Sequence, residues 1–314
     1  MKLSIITINR NNAIGLRKTI ESVVRQTNTQ YEYIVIDGGS TDESVDIIRE
    51  YSNNIHHWVS EPDKGIYNAM NKGITKAHGE YCLFLNSGDW LYDSSVVDGF
   101  NRRGEADDIL YGNVVLANEQ GDFTKLKYHR FVPYDLIVGT IVHQVIFFRK
   151  DLFSRIGSYD ESFKIAADWK ICIEAVFKYK CSIKHIDAFI SYYDQTGVSS
   201  KMLDVDAQER SIVLKSLFSD RVIADYESIL LLDITGFFYD TSCLIQLLYF
   251  LVSGGKKVMT EDLESGISES IRKDYIYYRG VQRILSIPYY RSLYYLVRKI
   301  AMNRIKRHEI SIYY

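Results

Sequence analysis

The sequence predicts an α/β protein built on a mixed, mainly parallel sheet with helices on both faces, followed by an α-helical carboxyl-terminal region. Three observations carry that expectation. Residues 3–8 and 33–36 are β-branched apolar runs, and each leads through a polar loop into residues at helical spacing. Two such units in succession imply right-handed crossovers and a parallel sheet. Residues 81–92 then pass from an apolar strand, Leu83-Phe84-Leu85, into the polar knot Asn86-Ser87-Gly88-Asp89, and strand carboxyl ends are where open α/β sheets hold ligands.

The first unit joins the strand at 3–8 to a helix carrying Leu16, Ile20, Val23 and Val24. Its loop reads Asn9-Arg10-Asn11-Asn12-Ala13, which lacks the G-x-G-x-x-G of a dinucleotide-binding dehydrogenase. The second unit turns through Asp37-Gly38-Gly39-Ser40-Thr41-Asp42 into a helix at 45–51. Asp37 ends its strand, and Ser40 or Asp42 suits a helix cap; Thr7, Asn9 and Asp37 together mark one sheet edge as a pocket candidate. Trp58 and Val59 suggest a short third strand, and Glu61-Pro62-Asp63-Lys64-Gly65 breaks the chain before a helix at 66–77. The polar side of that helix carries Tyr67, Asn68, Asn71 and Lys72, where a solvated face competes with a diphosphate contact.

At Asn86 to Asp89 a carboxylate beside amide and hydroxyl oxygens suits Mg²⁺ or Mn²⁺ bridged to substrate phosphates; a polar turn in which Asp89 caps the next segment is the plainer alternative. Residues 107–116 read as a strand, 118–122 as a turn and 123–128 as its return. Residues 129–141 are loop-like. His143-Gln144 precedes a strand at 145–148, and a backbone-satisfied core histidine is one reading of His143. Residues 157–163 form a loop, and Ile165-Ala166-Ala167-Asp168-Trp169 opens a helix. Asp168 there is either an N-cap or a carboxylate desolvated by apolar neighbours and useful as a base. Strands at 182–186 and 189–193 precede the polar loop 194–200.

The order of these pieces resembles a family 2 glycosyltransferase with the GT-A fold. The resemblance rests on Ser-Ile-Ile-Thr-Ile-Asn at 4–9, Ile-Asp-Gly-Gly-Ser-Thr-Asp at 36–42, Asp-Lys-Gly-Ile-Tyr-Asn-Ala-Met-Asn-Lys-Gly at 63–73 and Phe-Leu-Asn-Ser-Gly-Asp-Trp at 84–90. It implies that Thr7, Asn9 and Asp37 hold the base and ribose of a nucleotide sugar, UDP favoured, with Asn68, Lys72, Asn86 and Ser87 on the donor. It also implies Asp89 as ligand to Mn²⁺ or Mg²⁺, Asp168 as catalytic base of an inverting transfer, and His143, Gln144 and Trp169 along the acceptor side. The chain departs from the family in having Asn86 and Gly88 where acids are common, and Gly38 where a second aspartate is common. A non-catalytic nucleotide-sugar-binding subunit of a glycan assembly complex, and a nucleotidyl transferase, are the competing functions.

Size and composition agree with a globular enzyme of one or two domains. The chain has 314 residues, 46% hydrophobic and 25% charged, and its net charge of −2 gives no global case for a nucleic acid partner. Cys82, Cys172, Cys181 and Cys243 form no C-x-x-C pair, so free thiols in the cytoplasm are expected. The amino terminus reaches Asn9 and Arg10 before a signal-length apolar core forms, which suggests mature protein from Met1.

A transferase domain at 1–203 and a carboxyl-terminal region at 204–314 are expected. Residues 205–218 read as a helix. Residues 229–252 are apolar but interrupted by Asp233 and Asp240, which favours buried or interfacial helices over a membrane span. From Arg272 to Arg307 basic residues interleave with tyrosine and leucine, a pattern suited to an anionic membrane surface at the inner face. A helical bundle or homo-oligomer contact uses the same chemistry. A saccharide or lipid-linked saccharide acceptor is expected, in surface polysaccharide synthesis.

Overall fold

The computed structural model describes residues 2–104, 106–128, 136–137, 139–197 and 202–223. The chain divides into two compact units, residues 1–219 and 220–314, and every element named here belongs to the first. The expectations for residues 229–252 and for the basic, tyrosine-rich end lie outside the described residues, as do those for 198–200.

In chain order the elements are β1 (Leu3–Asn9), α1 (Ala13–Val24), β2 (Tyr31–Asp37), α2 (Ser44–Glu50), β3 (His57–Ser60), α3 (Ile66–Lys76), β4 (Tyr81–Phe84) and β5 (Trp90–Leu91). After these come α4 (Val96–Asn101), β6 (Ile109–Ala117), β7 (Phe123–Leu126), β8 (Ile146–Arg149), α5 (Lys150–Ile156), α6 (Ala167–Phe177), β9 (Ile183–Asp194) and α7 (Leu203–Leu217). The sheet runs β3-β2-β1-β4-β8-β6-β9-β5, with β7 also on β6. β3, β2, β1 and β4 are mutually parallel. β8 is antiparallel to β4 and β6, β9 is parallel to β6, and β5 and β7 close antiparallel edges.

Every residue of β1, β2 and β4 is buried, as a strand covered on both faces requires. Asn12 caps α1, its Oδ1 accepting from Gly15 N at 3.1 Å. α3 presses close on the sheet at Gly73, where an added Cβ would lie 2.5 Å from Ile6 Cγ2.

Three features differ from the sequence expectation. The strands at 182–186 and 189–193 are one strand, β9. Its register against β6 slips on either side of Asn113, and Asn113 Nδ2 donates to Asp187 Oδ1 at 3.0 Å. A bulge thus absorbs the phase change that polar Asp187 presents as a break. β5, α4 and α5 are too short to register as periodic patterns. Finally, the helix expected at 205–218 is α7 and packs within the first unit, so the boundary falls after 219 rather than at 203. Glu209 accepts the backbone N–H groups of Lys164, Ile165 and Ala166 at 2.6–3.0 Å, and the Arg210 guanidinium lies 4.7 Å from the Trp169 ring centre. Among the described residues no helix is long and apolar enough to cross a membrane.

Gly73→Val places a branched side chain where Ile6 already sits, and overpacking of this kind costs about 1–3 kcal/mol. Urea unfolding should show the variant less stable by that amount, although valine is the better helix former.

Candidate active site

The polar knot after β4 is built by α1. Thr19 Oγ1 accepts from Gly88 N at 3.0 Å and reaches Asp89 O at 2.7 Å, while Asn12 Nδ2 donates to Ser87 O at 3.0 Å. Gly88 has φ +109, a conformation that favours glycine. The turn drives Asp89 inward until it is only 4% exposed. Its Oδ1 accepts from Asp194 N, at the end of β9, and its Oδ2 from Gln144 Nε2, each at 2.9 Å. Burial pushes the Asp89 carboxyl up to about 6 against those two donors.

A second carboxylate, half-buried, lies across the same turn. Asp168 sits inside the first turn of α6, whose N-cap position is Ala166, so it is not the cap. Its Oδ2 is 3.0 Å from His143 Nδ1. Its Oδ1 accepts from Trp169 N at 2.9 Å and lies 3.3 Å from Tyr67 OH. Tyr67 OH also accepts from Ala167 N at 3.1 Å and contacts Ile165 O, which fixes the start of α6 against α3. Burial opposes ionisation of Asp168, yet the His143 hydrogen bond, the Trp169 N–H and the charge of Arg210 outweigh it and hold the carboxyl below its ordinary range. His143 and Gln144 are adjacent in a 3₁₀ turn, His143–Val145. One dipeptide therefore holds both carboxylates, Gln144 on Asp89 and His143 on Asp168.

Residues 4–167 match the model of glycosyl transferase family 2. The chain belongs to that family. A PGL/p-HBAD biosynthesis glycosyltransferase of Mycobacterium bovis (strain BCG / Pasteur 1173P2) is 31% identical over 216 residues, 66% of this chain and 82% of that protein. An uncharacterized glycosyltransferase of Mycobacterium tuberculosis (strain CDC 1551 / Oshkosh) is 34% identical over 213 residues, 63% of this chain and 77% of that protein. S. aureus TarS 1-349 in complex with UDP-GlcNAc superposes with a TM-score of 0.58 at 18% identity, covering 83% of this chain and 77% of TarS 1-349. Against the longer S. aureus TarS chain the coverage is 42% of that chain. At that identity the likeness establishes the GT-A fold.

Of the family residues expected on the donor side, Asn9 and Asp37 meet at the carboxyl ends of β1 and β2. Asn9 Nδ2 donates to Asp37 Oδ1 at 2.7 Å, and Asp37 also accepts from Ser40 N, Ser40 Oγ and Ser60 Oγ at 2.6–2.9 Å. Burial opposes its charge, but the Ser40, Ser60 and Asn9 donors hold it below the usual carboxylate range. With four donors Asp37 organises the loop, and Asn9 Oδ1, buried without a partner, is the acceptor left open there. Thr7 is fully buried with its hydroxyl 3.1 Å from Tyr33 OH, a packing position inside the sheet. Asn68 Nδ2 donates to Glu161 at 2.9 Å and Lys72 ion-pairs with Glu61 at 2.7 Å, so both brace neighbouring loops. Trp169 is 2% exposed and donates Nε1–H to Leu136 O at 2.6 Å; it supports α6 from inside the core rather than lining the acceptor side. Gln144, 3% exposed, braces Asp89 in the same way.

Two carboxylates escaped sequence reasoning because they are remote in the chain. A Cβ at Gly88 would lie 3.4 Å from Asp194 Oδ2, and one at Gly38 would overlap the Asp63 carboxylate. Asp63 and Asp194 thus occupy the space beside the two glycines that stand where the family often has acids. The available signal was the polar loop after β9 and the Asp63-Lys64-Gly65 turn.

Among the described residues no three His, Cys, Asp or Glu side chains gather to hold a metal ion, so any cation here would rest on Asp89 and the substrate's own oxygens. Asp89 is a buried carboxylate to which no lysine or arginine ion-pairs among the described residues, and two hydrogen bonds leave part of its acceptor capacity open. Lys18 rests 3.0 Å from the Trp90 ring centre and is only in electrostatic reach of Asp89 and Asp194.

Because the folded-state value of about 6 lies above the ordinary 3.8, the neutral form of Asp89 is favoured by the fold. Its contribution to stability is full at low pH and lost as pH rises through about 6, on the order of 2–3 kcal/mol. Asp89→Asn removes that dependence, since a turned Gln144 amide can accept from the new Nδ2 through Oε1, which is buried without a partner. Urea midpoints of the ligand-free proteins should therefore differ more in the variant's favour at pH 8 than at pH 5.

Proposed function

We propose that this family 2 glycosyltransferase moves a sugar from a nucleotide-diphosphate donor, UDP favoured, to a hydroxyl of a saccharide or lipid-linked acceptor with inversion, in surface polysaccharide or glycolipid synthesis. The observation that carries the reading is the His143-Gln144 turn, which sets Asp168 and Asp89 on either side of one short segment. In this scheme Asp168 accepts the proton of the attacking hydroxyl. The new bond forms at the anomeric carbon from the face opposite the nucleotide, and the bond to the diphosphate oxygen breaks with its electron pair. Mn²⁺ or Mg²⁺, held by Asp89 with Asp194 beside it, would supply positive charge for the departing diphosphate. Asn9 and the loop ordered by Asp37 receive the nucleoside, with Asn86 and Ser87 at the diphosphate side.

The donor class is supported by TarS, solved with UDP-GlcNAc. The glycolipid side is supported by the PGL/p-HBAD biosynthesis relative. Contact with the inner face of a membrane, or with a second copy, rests on the basic and aromatic residues after Arg272.

Calorimetric titration of UDP and GDP, with and without Mn²⁺, tests the donor site. One nucleotide should bind in a metal-dependent manner to the wild type and lose that dependence in Asp89→Ala; binding that ignores both metal and substitution would sink the cation assignment. Asp168→Asn should lower turnover by 10²-fold or more, about the effect of a general base, while donor affinity stays within about twofold. Equal loss of both would count against Asp168 as base.

A further inference from the structure

The side chain of His143 connects two residues that the proposed mechanism treats separately. Its Nδ1 is 3.0 Å from Asp168 Oδ2, and its Nε2 is 3.0 Å from Asn86 Nδ2. The imidazole is largely enclosed, 13% exposed against 21% for the Asp168 side chain. An amide NH₂ only donates and a carboxylate only accepts. The ring satisfies both neighbours in one state alone, a neutral imidazole with its proton on Nδ1 and its lone pair on Nε2. Turning the Asn86 amide end for end would place Oδ1, otherwise buried without a partner, against Nε2 and would require an imidazolium instead. The two arrangements differ by one proton.

We propose that Asn86 and His143 form a positioning chain for Asp168, in which the Asn86 amide fixes the Nδ1–H tautomer of His143 and that N–H aims the carboxylate at the acceptor hydroxyl. This assigns Asn86 a task other than donor binding and gives a reason for an amide where the family commonly has an acid. A carboxylate at 86 would hold a second proton on the ring and leave Asp168 facing a cation, a poorer proton acceptor. The neutral ring orients Asp168 without neutralising it, as a tautomer-fixed histidine does in other hydrogen-bonded pairs. The other groups bearing on this chain are Tyr67 at Asp168 Oδ1, Asp89 beyond the neighbouring Gln144, and Arg210, whose charge is felt by Asp168.

The inference rests on Asp168 as the base, and its test separates the two. Long-range ¹H–¹⁵N correlation spectra of the labelled full chain read histidine tautomers directly, with His143 assigned by its loss in His143→Asn. An Nδ1–H tautomer at pH 8 is expected, becoming a doubly protonated ring in Asn86→Asp. An Nε2–H tautomer or an imidazolium in the wild type, or an unchanged ring in Asn86→Asp, overturns the chain. In turnover assays His143→Asn, which keeps an N–H near the Nδ1 position, should stay within about tenfold of wild type. His143→Ala and His143→Gln should lose about 10²-fold in kcat, the cost of a misplaced group, with donor affinity by calorimetry unchanged. Equal losses in all three overturn the positioning role. Turnover retained in Asp168→Asn with the Nδ1–H tautomer present overturns the base reading, whereas an inactive Asp168→Asn with the wrong tautomer overturns the chain alone.

Discussion

The site depends on the burial of one carboxylate. Asp89 enters the protein because Gly88 turns the chain and Thr19 satisfies the turn's backbone from α1. Once inside, its two oxygens collect a backbone N–H from the end of β9 and an amide from the turn before β8. Three stretches remote in sequence are thereby fixed to the end of β4. An unpaired buried anion is costly, so the fold tolerates this knot because hydrogen bonds partly compensate it, and the remaining deficit is what pushes the Asp89 carboxyl up.

The base side is secured differently, from outside the sheet. α7 sends Glu209 onto three consecutive N–H groups just ahead of Asp168 and lays Arg210 over Trp169. An anion at these N–H groups opposes the positive end of α6, the arrangement helix termini favour. Tyr67 clamps the same segment from α3. Asp168 is therefore held by two helices as well as by His143, and Lys170 ties the same helix to Asp160 in the loop at 157–163.

Much of the architecture was legible because its signals are local. β1, β2 and β4 are largely apolar, fully buried runs, and α1 and α3 carry one-sided periodicity. Four motifs in order named the family. What stayed hidden was decided by contacts. Thr7 and Trp169 looked like site residues by position, but pleat and helix phase turn their side chains into the core. Asp187 read as a strand break because a bulge is invisible in a single sequence. The partners of Asp89 and Asp168 could not be inferred from spacing, since Asp194 arrives from β9, Tyr67 from α3 and His143 from the turn before β8.

Gly38 and Gly88 have a consequence for how this lineage can change. A side chain at either position would meet a carboxylate that already stands there, Asp63 in one case and Asp194 in the other. Restoring the acids commonly found at those positions would set like charges into one space, and at Gly88 would also strain the backbone. Each glycine is thus coupled in space to an aspartate far away in the chain. An acid at Gly38 would have to displace the Asp63 carboxylate and one at Gly88 would stand beside Asp194, so a change at either glycine acts on a distant aspartate as well.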